Sequence, residues 1–127
     1  GGQNHRIGLF DAILVKENHI SAAGSITAAV AAARMSYPDL LLEVEVEDLD
    51  QLAEAFEAGA QRVLLDNFKQ EWMLQAVEAY KGLIGLEASG GIELETIRDV
   101  AETGVDFISV GDTTKSVRAV DFSMRFM

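Results

Sequence analysis

Short apolar segments alternate with helical patterns along this chain of 127 residues, and this alternation limits its possible folds more than any other feature. Apolar segments of strand length that are joined through helices are typical of βα units with parallel strands. Helical patterns run through GSITAAVAAARM, with Ser25 as the predicted N-cap, and then through Leu49–Ala58, Lys69–Tyr80 and Glu93–Thr103. The predicted strands are Ala12–Val15, Leu41–Val46, Arg62–Leu65, Leu83–Leu86 and Phe107–Val110.

An internal repeat supports this interpretation. The segments LDQLAEAFEAGAQRVLL and LETIRDVAETGVDFISV share one helix–glycine–strand pattern and lie 45 residues apart. A complete α/β barrel of the TIM type has eight such units and about 250 residues, whereas five strands are predicted here. The chain is therefore expected to form part of an α/β (TIM-like) barrel from parallel βα units. An open doubly wound sheet is the alternative.

The segment LLLEVEVED raises the question of which side chains face the interior. Its period of two predicts a strand with Glu43, Glu45 and Glu47 on one face and Val44 and Val46 on the other. In an antiparallel sheet with one solvated face, the glutamates would lie in water. In a barrel, helices cover the outer face, so the valines would point outward and the glutamates inward.

Polar residues recur near the ends of the predicted strands. Glu45, Asp66 and Glu87 follow one another at intervals of 21 residues, Lys16 ends the first strand, and Gly111 ends the last. Ligands bind at the carboxyl ends of the strands in parallel α/β folds. These residues are therefore expected to converge on one site, although solvated acids at strand ends are the simpler alternative.

Charge and hydrogen-bonding capacity suggest what this site could bind. Carboxylates such as Glu45 and Asp66 are hard oxygen ligands suited to Mg²⁺, which is often shared with a substrate phosphate. The cations His5, Arg6 and Lys16 would suit a dianionic or phosphorylated substrate. A histidine near a turn is often only a hydrogen-bonded loop residue, and His19 is interpreted in that way.

Two glycine-containing turns follow the last two predicted strands. They are EASGG, which includes Ser89, Gly90 and Gly91, and SVGDTTKS, which includes Gly111 and Lys115. Each turn is predicted to open a helix, so that backbone N–H groups and the helix N-terminus could hold a phosphate. One glycine turn alone is weak support, because glycine also serves ordinary turns.

Composition excludes several classes of protein. The formal net charge of −11 argues against nonspecific binding of nucleic acid, which requires a basic surface. The chain has no cysteine, no apolar run of about 18 residues, and no basic flank or long apolar segment near its start. These features predict a soluble cytoplasmic protein without nucleic-acid or membrane partners.

Five motifs resemble those of the quinolinate phosphoribosyltransferase (carboxylating nicotinate-nucleotide pyrophosphorylase) family, and they occur in the family's order. The resemblance covers nearly the whole chain. It implies an enzyme that makes nicotinate mononucleotide, pyrophosphate and CO₂ from quinolinate and phosphoribosyl pyrophosphate, with Mg²⁺, in NAD biosynthesis. The motifs are NHRIGLFDAILVKENHI, EVEVEDL, VLLDNF, LEASGGI and AETGVDFISVG, the last continuing through TKSVRAVDFSMRF.

The resemblance also implies roles for individual residues. Lys16, Glu45 and Asp66 would be catalytic, with Lys16 between quinolinate and the sugar pyrophosphate and both carboxylates on the ribose and the metal. His5 and Arg6 would help to bind quinolinate. The residues implied to hold the phosphate are Ser89, Gly90, Gly91, Gly111 and Lys115.

The sequence departs from the family at two places. Asp112 and Thr113 replace a small apolar pair after the last strand, and an acid there would repel phosphate unless it points away or binds metal. The family's N-terminal domain and first barrel strand have no counterpart in the sequence. The chain is therefore interpreted as the C-terminal portion of the barrel domain, spanning residues 1–127, and is expected to be inactive alone.

Two other interpretations remain open. One is a ModD-like relative with the same scaffold, which is linked to molybdate transport. The other is a partial barrel without catalytic activity that binds phosphate and associates with itself. An open barrel segment would expose strand edges and an apolar interior, so a homodimer or higher homo-oligomer is expected.

Overall fold

The structure, a computed structural model, describes residues 2–126 and consists of five strands and six helices in that range. Strands and helices alternate as the sequence predicts, with one additional short helix after the first strand. The strands are β1 (Ala12–Val15), β2 (Leu41–Val46), β3 (Arg62–Asp66), β4 (Gly85–Ser89) and β5 (Phe107–Ile108). The helices are α1 (Glu17–Ala23), α2 (Ile26–Ser36), α3 (Leu49–Glu57), α4 (Gln70–Tyr80), α5 (Ile97–Glu102) and α6 (Asp112–Lys115).

The five strands form one parallel sheet in chain order, β1-β2-β3-β4-β5. A doubly wound sheet reverses its strand order at a switch point, where its ligand crevice forms. The described sheet contains no such reversal, and each strand pairs with the one that follows it in sequence. The predicted class, parallel βα units forming part of an α/β barrel, is therefore confirmed.

Alternate strand residues pack against the helices and form the core. Val44 and Val46 are completely buried on this convex face, together with Leu65 of β3. Helix residues such as Leu52 and Ala76 belong to the same apolar cluster. The valines of LLLEVEVED therefore face the helices and Glu43 and Glu45 face the other side of the sheet, as a barrel requires.

The concave face of the sheet carries both polar and apolar side chains. The strand register places Glu43 beside Arg62 and Leu64 beside Glu87, so these side chains share one face. Glu43 and Glu87 are buried there. The interior that the sequence predicts to be apolar is therefore mixed, and association of two chains stays a prediction.

Strand β4 lies further along the chain than predicted. It covers Gly85–Ser89 instead of Leu83–Leu86, because Leu83 lies in an exposed turn that begins at Gly82, where φ is +80°. Glu87 is consequently the central residue of β4 and lies below the strand end. Strand β5 is also shorter than predicted, although the Ser109 amide still donates to the Ala88 carbonyl at 2.9 Å.

The helices begin and end largely at local signals in the sequence. The Ser25 hydroxyl caps α2 by accepting a hydrogen bond from the Ala28 amide at 3.0 Å. Gly59 and Gly104 follow α3 and α5 with φ of +87° and +91°, a backbone conformation that favours glycine. Helix α5 starts at Ile97, four residues later than the predicted pattern. None of the helices in residues 2–126 is long and apolar enough to cross a membrane.

The burial of α3 predicts a large loss of stability on truncation. Leu52 is completely buried against the sheet, so we expect Leu52→Ala to lower the free energy of unfolding by about 2–5 kcal/mol. Leu74→Ala on α4 is the matched control, because 48% of Leu74 is exposed, and it should have a much smaller effect. Urea unfolding followed by circular dichroism measures both. Equal effects of the two variants would contradict the described core.

Candidate active site

A cleft of about 1340 Å³ lies over the concave side of the sheet and extends to the carboxyl ends of the strands. The strand-end residues and the two glycine turns line it together. The cleft thus brings nearly all the predicted site residues to one place. Those that line it are His5, Lys16, Glu45, Asp66, Ser89, Gly90, Gly91, Gly111 and Lys115.

Lys16 and Glu45 form an ion pair within the cleft. Lys16 follows β1 directly, and its Nζ lies 3.2 Å from Oε2 of Glu45. The hydrogen bond and the negative charge of Glu45 raise the pKa of Lys16, and the charge of Asp66 acts in the same direction. Lys16 is therefore a cation held in place at the mouth of the cleft, with 46% of its side chain exposed.

Asp66 ends β3 at the same edge of the sheet and is held by the residue that follows it. The Asn67 side-chain amide donates to Oδ2 of Asp66 at 2.9 Å. Asn67 has a positive φ of 53°, which asparagine tolerates better than most residues. The turn therefore places the Asn67 side chain where it holds the carboxylate of Asp66 beside the cleft.

The SGG turn after β4 packs directly on Asn67. The backbone amide of Asn67 donates to the Ser89 carbonyl at 2.9 Å. A Cβ atom at Gly90 would lie 2.2 Å from Oδ1 of Asn67 and 2.8 Å from its backbone nitrogen. Only glycine fits there, because φ is also +94°. Gly90 is therefore required for the turn after β4 to approach the turn after β3.

The predicted helix starts after the two glycine turns differ from the structure. Ile92–Thr96 separate Gly91 from α5, so no helix N-terminus adjoins the SGG turn. Helix α6 follows Gly111 directly but has only four residues. The hydroxyl of Thr114 donates to the Gly111 carbonyl at 3.0 Å. Any phosphate binding here would consequently depend on loop amides and Lys115 more than on helix dipoles.

A second polar cluster lies deeper on the concave face. Nε2 of His5 is 2.9 Å from Oε2 of Glu43 and 3.6 Å from Oε1 of Glu87. Nη1 of Arg62 is 3.2 Å from Oε2 of Glu87, and the Ser109 hydroxyl donates to Oε1. The Arg62 guanidinium also lies 4.0 Å above the Phe107 ring. These residues link β2, β3, β4 and the end of β5 beneath the strand-end site.

Glu43 has a strongly perturbed acidity in this cluster. Burial raises the pKa of Glu43 from its usual 4.5 to about 8, and the neighbouring charge of Glu87 acts in the same direction. Arg62 and Arg6 act in the opposite direction and do not cancel the effect. Glu43 therefore keeps its proton at neutral pH, which limits the negative charge buried beside Glu87.

Some expectations about individual residues need revision. Arg6 is not among the described residues that line the cleft, and its Nη1 donates instead to the Ala12 carbonyl at 3.3 Å. Asp112 lines the cleft, so its charge lies near the predicted phosphate site. His19 accepts a hydrogen bond from the Lys16 amide at 3.0 Å, which agrees with its predicted structural role.

No sequence pattern singled out Arg62 or Ser109, and none assigned a function to Glu43. The alternation EVEVED was a usable signal for Glu43, since Glu43 shares a face with Glu45. Arg62 looked like an ordinary first residue of a strand. Its role depends on the register, which places Arg62 level with Gly85 in β4, so that its long side chain reaches Glu87.

The fold and the cleft together define a class of protein: a parallel α/β-barrel segment whose strand-end loops line a charged cleft. The structure of the nicotinate-nucleotide pyrophosphorylase from Francisella tularensis matches 95% of this chain with a TM-score of 0.91 and 51% sequence identity. Residues 1–125 match the family described as "Quinolinate phosphoribosyl transferase, C-terminal domain". The chain belongs to the quinolinate phosphoribosyltransferase family.

Curated relatives agree with this membership. The probable carboxylating nicotinate-nucleotide pyrophosphorylase of Bacillus subtilis is 43% identical over 98% of this chain. The corresponding protein of Mycobacterium leprae is 41% identical over the same share. The chain spans 43% and 45% of the lengths of these two relatives, and 43% of the matched Francisella tularensis chain.

The close packing at Gly90 predicts that a larger residue there lowers stability by more than the backbone angle alone would. Gly24 has the same φ of +94° but has open space around it, so Gly24→Ala should cost only the left-handed conformation, about 1–2 kcal/mol. Gly90→Ala should cost a further 1–3 kcal/mol, roughly, because the clash involves backbone. Urea unfolding compares them. Equal destabilisation by the two variants would contradict the described packing of the SGG turn on Asn67.

The raised pKa of Glu43 predicts a specific pH dependence of stability. Between about pH 4.5 and pH 8 the folded chain holds a proton that the unfolded chain has lost. The free energy of unfolding should therefore fall as pH rises through this range, by at most about 1.4 kcal/mol per pH unit. The stability contribution of the neutral carboxyl is complete below this range and is lost above pH 8. Glu43→Gln should remove this slope.

The groups that face Glu43 are His5, Glu87, Arg62 and Arg6. Urea unfolding at closely spaced pH values, with a chelator present, measures the slope. Glu47→Gln is the matched control on the same segment, because Glu47 is exposed. If the difference between the native chain and Glu43→Gln does not change with pH, Glu43 titrates normally.

Proposed function

We propose that this chain forms the catalytic barrel portion of a carboxylating nicotinate-nucleotide pyrophosphorylase. This enzyme would transfer the phosphoribosyl group of phosphoribosyl pyrophosphate to quinolinate, with loss of CO₂, in NAD biosynthesis. One observation carries the proposal. In a chain of this family, charges of both signs and two glycine turns line a single cleft at the strand ends.

The cationic side chains would bind the anionic parts of both substrates. Quinolinate carries two carboxylates, and Lys16 and His5 are cationic or hydrogen-bonding groups on the cleft wall. Lys16 would lie between quinolinate and the pyrophosphate, because its ion pair with Glu45 holds it at the sugar side. Arg6 would have to release the Ala12 carbonyl in order to reach the dicarboxylate.

Glu45 and Asp66 have the chemistry that Mg²⁺ requires. Both are carboxylates on the cleft wall, and hard oxygen ligands of this kind bind Mg²⁺ together with substrate phosphates. The contacts with Lys16 and Asn67 use one oxygen of each carboxylate, Oε2 of Glu45 and Oδ2 of Asp66. The second oxygen of each can face an ion. Bound Mg²⁺ would neutralise charge on the pyrophosphate leaving group.

The same carboxylates would also stabilise the reacting sugar. Positive charge develops on the ribose when the bond from C1 to the pyrophosphate breaks, and fixed negative charges nearby stabilise that state. Lys16 and Asn67 hold Glu45 and Asp66 in place, so little reorganisation is needed. The ring nitrogen of quinolinate then attacks C1. Cations that hold its carboxylates would orient the ring for this step.

The glycine turns would hold the 5′-phosphate of the ribose. Gly90 and Gly91 have positive φ values of 94° and 58°, so their amides point in directions that most residues cannot supply. Lys115 adds a cation across the cleft, whereas Asp112 opposes the phosphate charge. Phosphate binding would therefore depend mainly on the backbone amides of Ser89–Gly91 and Gly111, because oriented N–H groups attract an anion even where neighbouring side-chain charges oppose each other.

The assembly and location are further parts of this proposal. A homodimer or higher homo-oligomer and a cytoplasmic location stay predictions. The unpaired outer sides of β1 and β5 within the described sheet are surfaces that a longer chain or a second copy could cover.

The role of Glu45 can be tested in a chimaera. Residues 1–125 of this chain would replace the matching region of the Bacillus subtilis relative, and product formation from quinolinate and phosphoribosyl pyrophosphate would be measured. We expect an active chimaera in which Glu45→Gln lowers kcat by about 10²–10³-fold, the typical effect of removing one electrostatic group. Glu47→Gln, the control at an exposed position, should keep full activity.

The outcomes distinguish an error in the proposed activity from an error in the proposed role of Glu45. A folded chimaera that makes no nicotinate mononucleotide would contradict the proposed activity. An active chimaera in which Glu45→Gln and Glu47→Gln behave alike would keep the activity and remove Glu45 from the mechanism. The 127-residue chain assayed alone should give negligible turnover, and this assay also checks for contaminating activity.

A further inference from the structure

Three side chains with metal-binding atoms meet on the concave face below the strand ends. Ligand atoms of His5, Glu43 and Glu87 all lie within 4.8 Å of one another. Glu43 and Glu87 are 1% and 3% exposed, whereas 29% of the His5 side chain is exposed. Two buried carboxylates and a partly exposed imidazole therefore form one cluster of possible ligands.

One atom of this cluster lacks a partner. Oε1 of Glu43 is buried and makes no hydrogen bond within the described part of the chain. A buried carboxylate oxygen without a partner is costly. The neighbouring donors Arg62 and Ser109 bind Glu87 and do not satisfy Glu43. Either the proton that Glu43 holds at neutral pH or a metal ion in its place can satisfy this oxygen, and the cluster supplies a suitable set of ligand atoms.

We propose that His5, Glu43 and Glu87 bind a divalent transition-metal ion of the zinc or manganese class. This site differs from the Mg²⁺ site proposed at Glu45 and Asp66. Mixed imidazole and carboxylate ligands suit Zn²⁺ and related ions, whereas Mg²⁺ prefers oxygen ligands and retains several waters. The ion would lie next to Oε1 of Glu43, which has no partner among the described residues. Its bonds to His5 and Glu43 would replace the hydrogen bond between these two side chains.

The surrounding charges explain why direct ligation matters here. Arg62 binds Oε2 of Glu87 at 3.2 Å, and Arg6 also lies close enough to affect Glu43. Both cations weaken the simple attraction of the cluster for another positive ion. Affinity must therefore come from bonds to imidazole and carboxylate atoms, which favours zinc over magnesium. Arg62 also fixes Glu87 so that Oε1 remains on the His5 side.

Metal binding at this site has a consequence for substrate binding, and this consequence rests on the proposed function. An ion at this site takes up the imidazole of His5, which is also a proposed contact of quinolinate. The ion and the dicarboxylate then compete for His5. The experiment below uses the ion without substrate, so failure of the metal site and failure of the proposed function give different results.

Calorimetric titration of the 127-residue chain, freed of metal with a chelator, tests the site. Zn²⁺ and Mn²⁺ are added separately, with Mg²⁺ for comparison. We expect one saturable zinc ion per chain. His5→Ala and Glu43→Gln should each weaken it by at least about tenfold, a loss seen even for residues outside the metal's direct ligands. His19→Ala and Glu47→Gln, at exposed positions, should bind zinc within about twofold of the native chain.

Circular dichroism shows whether each variant is folded. If Glu43→Gln does not fold, His5→Ala decides the question, because His5 lies in the exposed segment before β1. Broadening of amide resonances by Mn²⁺ locates the ion independently and should be strongest around Glu43, Glu87 and Ser109. Absence of saturable zinc binding, unchanged affinity in His5→Ala, or broadening confined to other acidic surfaces would each overturn the proposal.

Discussion

The rest of the structure depends on the burial of alternate strand residues against the helices. Val44, Val46 and Leu65 are completely buried on the convex face, and side chains alternate between the faces of a strand. Once these residues are fixed, the intervening Glu43, Glu45 and Asp66 must face the concave side. The hydrophobic contact with the helices thereby determines which way the acids point, although the acids lie on the opposite face of the sheet. A shift of one residue in any strand would reverse both faces.

Electrostatics then divides the concave face into two levels. At the strand ends, Lys16 pairs with Glu45 and Asn67 holds Asp66, so these carboxylates remain accessible to a ligand. One level deeper, Glu43 and Glu87 are buried, and their side-chain partners among the described residues are His5, Arg62 and Ser109. The difference follows from solvent access, because a buried carboxylate must be paired or protonated, whereas one at the cleft mouth can stay charged.

Much of the fold could be predicted because its signals are local. Ser25 caps α2 with its own side chain, and Gly59 and Gly104 end helices through their own backbone angles. The boundaries of β4 were wrong because Leu83 is apolar but lies in an exposed turn. Apolar character alone does not distinguish a buried strand residue from an exposed turn residue. The predicted site residues converge, except for Arg6, because strand ends of a parallel sheet meet at one edge.

The sequence by itself determined the parallel βα architecture, the direction of the valines and the convergence of Lys16, Glu45 and Asp66. These depend on periodicity and chain order, which are written in the residues. Only the tertiary structure decided that Glu43 loses its charge, that Arg62 reaches Glu87, and that Gly90 lies against Asn67. Each of these depends on distances between strands that are about 20 residues or more apart in the chain. Such distances follow from register and packing, and no local pattern encodes them.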